Sequence, residues 1–244
     1  MKKLIYFCLL LFLFFGCEII NSQNTNEKLA PQIQKVKIWE AFKLKPGDLL
    51  FQDSDCGLFC DAIEQVTFGK NGAKLSHVGM VVRNDTTGRL VVLEAISEGV
   101  VETNFDVFFS RSFDKNEAPK ILVGRLKSEF SNLIKPAILK AKSLSGKPYD
   151  EVFDINNDAY YCSELIYHSF KKANDDQAIF QLRPMTYKDP KTNQTFNIWE
   201  DYFKELDIEI PEGQPGLNPG SMSRSIFLEI VHAYGTPQGW RLPK

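Results

Sequence analysis

Asn157-Asp-Ala-Tyr-Tyr-Cys-Ser-Glu-Leu-Ile-Tyr-His-Ser-Phe-Lys171 places a cysteine at the start of an amphipathic helix. Counted from Cys162, the residues Leu165, Ile166, Ser169 and Phe170 fall at i+3, i+4, i+7 and i+8, the spacing of one helix face. Asp158 is the expected N-cap, which puts Cys162 in the first turn. A thiol there faces the positive end of the helix dipole and N–H groups without intrahelical acceptors, and both favour the nucleophilic thiolate. The same residue also suits a buried structural position, because free cysteine is among the most buried residue types. The rest of the chain decides between the two.

Upstream of this helix, Ser131 to Leu144 has helical character compromised by Pro136 and closes at Gly146-Lys-Pro-Tyr149. Before it lie β-rich runs: Leu49 to Phe51 after the Pro46-Gly47-Asp48 turn, Leu75 to Val82, Arg89 to Ile96, Gly99 to Thr103 and Lys120 to Leu126. The connector Asn84-Asp-Thr-Thr-Gly88 is turn chemistry, so the runs on either side of it form a hairpin and the rest extend an antiparallel sheet. Cys56 to Phe68 reads as a helix stopped at Gly69-Lys-Asn-Gly72, and Asn197 to Leu206 as another. Pro211 to Pro219 is a loop, and Phe227 to Tyr234 suits either a strand or a helix. The expected class is α+β, with one catalytic-sized domain over residues 39–244.

The 244 residues are 43% hydrophobic, enough for a substantial core. Lys and Arg number 29 against 31 Asp and Glu with no basic cluster interleaved with aromatics, which argues against a nucleic-acid partner. Lys2 and Lys3, the apolar run Leu4 to Phe15 and then Gly16-Cys17 read as a lipoprotein signal over residues 1–16, with Cys17 as the lipidated residue. The apolar run is short for a membrane span. A polar, Asn- and Gln-rich tether over residues 17–38 follows. The expected location is the cell envelope, anchored to the membrane through Cys17, in an oxidising space. There a Cys56–Cys60 disulfide is open to the chain, although an i, i+4 pair inside a helix bridges poorly. Three His without a paired CxxC give no zinc site, and without a Gly-rich phosphate loop no cofactor is expected.

A cysteine nucleophile needs an imidazole within hydrogen-bond reach and a polar group to orient that imidazole. His168 lies six residues beyond Cys162, about 240° around the same helix, and points away. His232 sits in the ambiguous C-terminal run and reads as a packed or surface residue. His77 lies near the start of an apolar strand, with Gly79 leaving room two residues along. If the hairpin turns between Asp85 and Thr86, His77 and Glu94 come directly opposite each other, with Cβ atoms about 5 Å apart on one face. Glu94 interrupts Leu90-Val-Val-Leu93 and Ala95-Ile96, where a charge calls for a partner.

Five segments, Gly47-Asp48-Leu49, Ser76-His77-Val78-Gly79, Leu93-Glu94-Ala95, Gly146-Lys-Pro-Tyr149 and Tyr161-Cys162-Ser163-Glu164-Leu165, resemble in that order the YiiX/YebB-like cysteine hydrolases. These form a circularly permuted branch of the NlpC-type, papain-like superfamily. The resemblance implies a helix carrying the cysteine packed against an antiparallel sheet or barrel carrying the histidine. It also implies Cys162 as nucleophile, His77 as general base and then acid, and Glu94 as the orienting residue. Tyr149 and Tyr161 resemble residues that line such sites, although an aromatic core position suits them equally. A substrate-binding surface is expected around Asp53-Ser-Asp55 and Cys56 because they follow the first strand, close to the predicted sheet edge. Relatives of this type cleave amide bonds in peptidoglycan stem peptides, and others in the wider group act on acyl or lipid-like substrates. Three readings follow: a peptidoglycan amidase or peptidase, a lipid or acyl-amide hydrolase or acyltransferase, and a ligand-binding lipoprotein without catalysis.

Overall fold

The computed structural model describes residues 37–242. The signal segment, Cys17 and nearly all of the tether lie outside the described residues. A 3-10 turn, Ile38–Ala41, opens the described chain, with Trp39 seated near the rings of Phe105 and Phe109.

In chain order the elements are β1 Leu49–Gln52, α1 Leu58–Val66, β2 His77–Arg83, β3 Leu90–Ile96, β4 Gly99–Thr103, α2 Phe105–Ser110 and β5 Ile121–Leu126, then α3 Ile134–Ser143 and α4 Cys162–Ala173. They continue with β6 Arg183–Pro184, α5 Asn197–Glu205, β7 Pro215–Gly216, α6 Pro219–Ser223 and β8 Leu228–Tyr234. Six strands form one antiparallel sheet in the order β4-β3-β2-β1-β5-β8, and β6 pairs with β7 separately. The C-terminal run is therefore a strand, paired with β5 through a register shift at Val123/Gly124. His232 on it stacks on Phe42, a packing role.

The sheet is covered on both sides, which is why its strands read as continuous apolar runs. Val78, Met80, Val82 and Leu93 face the core shared with Leu165, Ile166 and Phe170 of α4. Val81, Val92 and Leu50 face Phe105, Phe108 and Phe109 of α2, a helix that the sequence reading left unassigned. Leu165, Ile166 and Phe170 are fully buried, and each contributes about 1.5–3 kcal/mol by leaving water. Pro136 falls in the first turn of α3, where its missing N–H is no loss, so the helix tolerates it.

Three local expectations change. The cap of α4 is Tyr161, not Asp158, which is exposed and ion-paired with Lys147. Cys56 and Cys60 are disulfide-bonded with Cα atoms 5.3 Å apart. The helical spacing that argued against this bond does not exist, because α1 starts only at Leu58 and Gly57 turns the chain at φ +73°. The β2–β3 hairpin is also wider than a turn at Asp85-Thr86. Arg83 pairs with Leu90 and Met80 with Leu93, and the Asn84 side chain caps the N–H groups of Thr86 and Thr87 inside the loop.

Candidate active site

The hairpin register displaces Glu94 by two residues from the place opposite His77. A shift of two preserves the face, because side chains alternate with a period of two. The pair still meets, diagonally, with His77 Nε2 2.6 Å from Glu94 Oε2. Gly79 makes the approach possible. A Cβ built on it would lie 2.3 Å from Val92 Cγ1, 3.1 Å from Phe108 Cε2 and 3.4 Å from Glu94 Cβ.

By strand alternation His77 and Glu94 go with Val81 and Val92, on the α2 side of the sheet, while α4 packs on the other side. The site is consequently built at the end of the sheet, where the first residue of β2 and the first residue of α4 meet. Cys162 is the free cysteine among the described residues, and its sulfur is a hydrogen-bond partner of His77.

Burial alone would discharge His77, but its hydrogen bonds to Cys162 and Glu94, and the charges of both, raise its pKa from 6.5 to about 9. Burial would likewise raise Glu94. The His77 hydrogen bond and charge, with the Arg111 guanidinium, overcome this and hold it at about 2. Arg111 Nη2 lies 2.6 Å from Glu94 Oε1 and 2.7 Å from Oε2. Sequence reasoning missed this residue. It lies 17 positions from Glu94 just beyond α2, and the one signal was that a buried carboxylate has two oxygens to satisfy while His77 takes only one.

Cys162, His77, Tyr149 and Tyr161 line one cleft of about 1020 Å³. Its other walls are α1 (Phe59, Ile63), α5 (Trp199, Tyr202), Phe153 and the segment Gly216–Asn218. The turn at Gly146 docks on β4, with Val100 N–H donating to Lys147 O at 2.9 Å, and this delivers Tyr149 to the cleft. Burial, with the Cys162 charge behind it, pushes the Tyr149 phenol well above its usual value. Tyr161 fastens the α4 start to the far wall, its hydroxyl accepting from Leu217 N–H at 3.3 Å while Ser163 Oγ donates to Leu217 O at 3.0 Å.

Asp53 is placed differently from the expectation. It is buried, with Oδ1 2.8 Å from Lys120 Nζ and Oδ2 accepting from Gln238 N–H at 2.6 Å, and it is not among the cleft-lining residues. Its neighbours Ser54, Asp55 and Cys56 do line the cleft. His168 sits on the outer flank of α4, 3.4 Å from Glu164, in keeping with the helical geometry.

An antiparallel sheet presenting imidazole and carboxylate to a cysteine at a helix start, with histidine before cysteine in the chain, is the arrangement of a permuted papain-like cysteine hydrolase. The chain belongs to the permuted papain-like amidase family YaeF/YiiX, C92, whose model matches residues 43–232, and it is accordingly a cysteine peptidase or amidase. It is similar in fold to a crystal structure of yiiX from Escherichia coli O157:H7, described as a metalloprotein, at 23% identity over 80% of this chain and 100% of that one, with a TM-score of 0.63. No curated protein matches it. Among the described residues no group of three or more His, Cys, Asp or Glu side chains is arranged to hold a metal ion. The site carboxylate is already committed to His77 and Arg111, so the residues present do not fit a metal at the thiol.

Proposed function

We propose that the protein hydrolyses an amide bond of a peptidoglycan stem peptide through Cys162, His77 and Glu94, working in the cell envelope as a lipoprotein anchored at Cys17. The observation that carries this reading is His77 held between the Cys162 sulfur and Glu94. The thiolate adds to the substrate carbonyl, forming a C–S bond and moving the carbonyl π electrons onto oxygen. Cys162 opens α4, so its N–H has no intrahelical acceptor and is available to that oxyanion. His77 donates its proton to the leaving nitrogen as the C–N bond breaks, which leaves a thioester. A water then loses a proton to His77 and adds to the thioester, and the C–S bond breaks to return the thiolate. Glu94 keeps the ring oriented throughout and balances its charge. Release of new amine from purified muropeptides, abolished by Cys162→Ala, is the expected result; a Cys162→Ala protein with full activity contradicts the assignment.

A second reading has its own observation. The cleft is walled by Phe59, Phe153, Tyr187, Trp199 and Tyr202, which suits an apolar acyl group better than a polar peptide. Side-by-side hydrolysis of fatty-acyl amides and muropeptides separates the two, since each reading predicts turnover of its own substrate class.

A further inference from the structure

Glu94 is fully buried in the middle of a sheet, an environment that favours its neutral form. A neutral carboxyl would bring a proton of its own to the His77 contact and would no longer balance an imidazolium. What prevents this is Arg111, whose single Nη2 group lies within 2.7 Å of both carboxylate oxygens. The guanidinium is itself held in place from several sides. Arg111 caps the C-terminal end of α2, its carbonyl accepts from Asp55 N–H at 3.4 Å, and its Cζ lies 5.2 Å from the centre of the Phe108 ring. The turn that carries it is pinned by Gln52, the cross-strand neighbour of His77, whose Nε2 donates to Phe108 O at 2.7 Å and to Ser112 Oγ at 3.3 Å. Phe108 in turn lies 5.9 Å from the His77 ring, so one aromatic side chain packs against both ends of the array.

Resting on the amidase reading above, we propose that Arg111 is a positioning residue of the reaction, acting through Glu94 to keep it ionised and aimed at His77 so that the imidazolium–thiolate pair forms. The charged or titratable groups that face Glu94 are His77 from β2, Arg111 from the end of α2, Cys162 through His77, and the exposed Glu98 of the β3–β4 turn. Only Arg111 among them is permanently cationic. With Arg111 gone, Glu94 Oε1 loses its partner and the carboxylate protonates at higher pH. The acid limb of thiol reactivity then moves upward.

The test is the pH dependence of Cys162 alkylation by iodoacetamide in the full chain, which needs no knowledge of the substrate. Arg111→Met is expected to slow alkylation at neutral pH by about tenfold or more and to raise the acid limb by about one pH unit or more. In a Glu94→Gln background the same substitution is expected to change the rate by less than about twofold, because the group through which Arg111 acts is gone. Arg111→Lys, which keeps the charge and does not depend on the methionine variant folding, is expected to hold the limb near its parent position with an intermediate rate. A limb that stays in place in Arg111→Met, an undiminished loss in the Glu94→Gln background, or a folded lysine variant indistinguishable from methionine overturns the proposal. His77→Ala in parallel separates the two claims. If it slows alkylation while Arg111→Met does not, only the role of Arg111 fails; if neither does, the amidase reading fails with it.

Discussion

Two hydrogen bonds, one to the Cys162 sulfur and one to Glu94, hold His77 protonated against the burial that would discharge it. Its pKa rises from 6.5 to about 9, so its contribution to stability is full below pH 6.5 and is lost as pH rises through about 9. Glu94 runs the other way. Lowered from 4.5 to about 2, it contributes fully above pH 4.5 and loses that contribution as pH falls toward 2. Denaturant midpoints of the parent and His77→Ala are therefore expected to converge as pH is raised through about 9; a gap that stays constant would contradict a protonated imidazole. At this scale Cys162, His77 and Glu94 were legible because thiol, imidazole and a charge inside an apolar run are visible as residue types. Arg111 was not, because its partner is set by where α2 ends in space. Asp53 was misread for a related reason: its position just after β1 placed it near the cleft, but Lys120 and the Gln238 amide, both remote in sequence, take its oxygens.

The β2–β3 hairpin explains why an incorrect register still brought His77 and Glu94 together. Asn84 accepts from Thr86 and Thr87 and widens the loop, which moves every pairing by two residues and leaves every side chain on its face. A shift of one would have separated His77 from Glu94. Element α1 was legible from its spacing but not its start, and the start decides the Cys56–Cys60 bond. That bond fixes the N-terminal end of α1, whose Phe59 and Ile63 line the cleft opposite Tyr202 and Trp199 of α5. Closing so short a loop is worth about 2 kcal/mol by chain entropy. Replacing both cysteines by serine is expected to lower the unfolding free energy by about that amount while the Cys162 thiol stays free. An unchanged urea midpoint would show that the bond constrains nothing.

For the molecule as a whole, chain order carried the fold: histidine strand, carboxylate strand and then cysteine helix is a permuted order, and the strands were readable because β-branched runs alternate with Gly and Asn turns. The sheet order was not readable, since β8 comes last in the chain yet pairs with β5, and its apolar run suits either period. Nor were the cleft walls, which combine α1, α5 and the Gly216–Asn218 segment from three distant parts of the sequence. The proposed envelope location rests on the N-terminal sequence, Lys2-Lys3, the apolar run Leu4 to Phe15 and Gly16-Cys17. Cys17→Ser is expected to abolish incorporation of labelled fatty acid and to release the protein from the membrane fraction, whereas a variant that remains labelled and membrane-bound would refute lipidation at that residue.

Activation of Cys162 by His77 is measured by the rate of iodoacetamide alkylation of Cys162 at neutral pH in the parent and in His77→Ala. The predicted result is rapid alkylation of the parent, slowed by about tenfold or more when the imidazole is removed. Equal rates in the two proteins would contradict the pair and, with it, the assignment of Cys162 as the nucleophile.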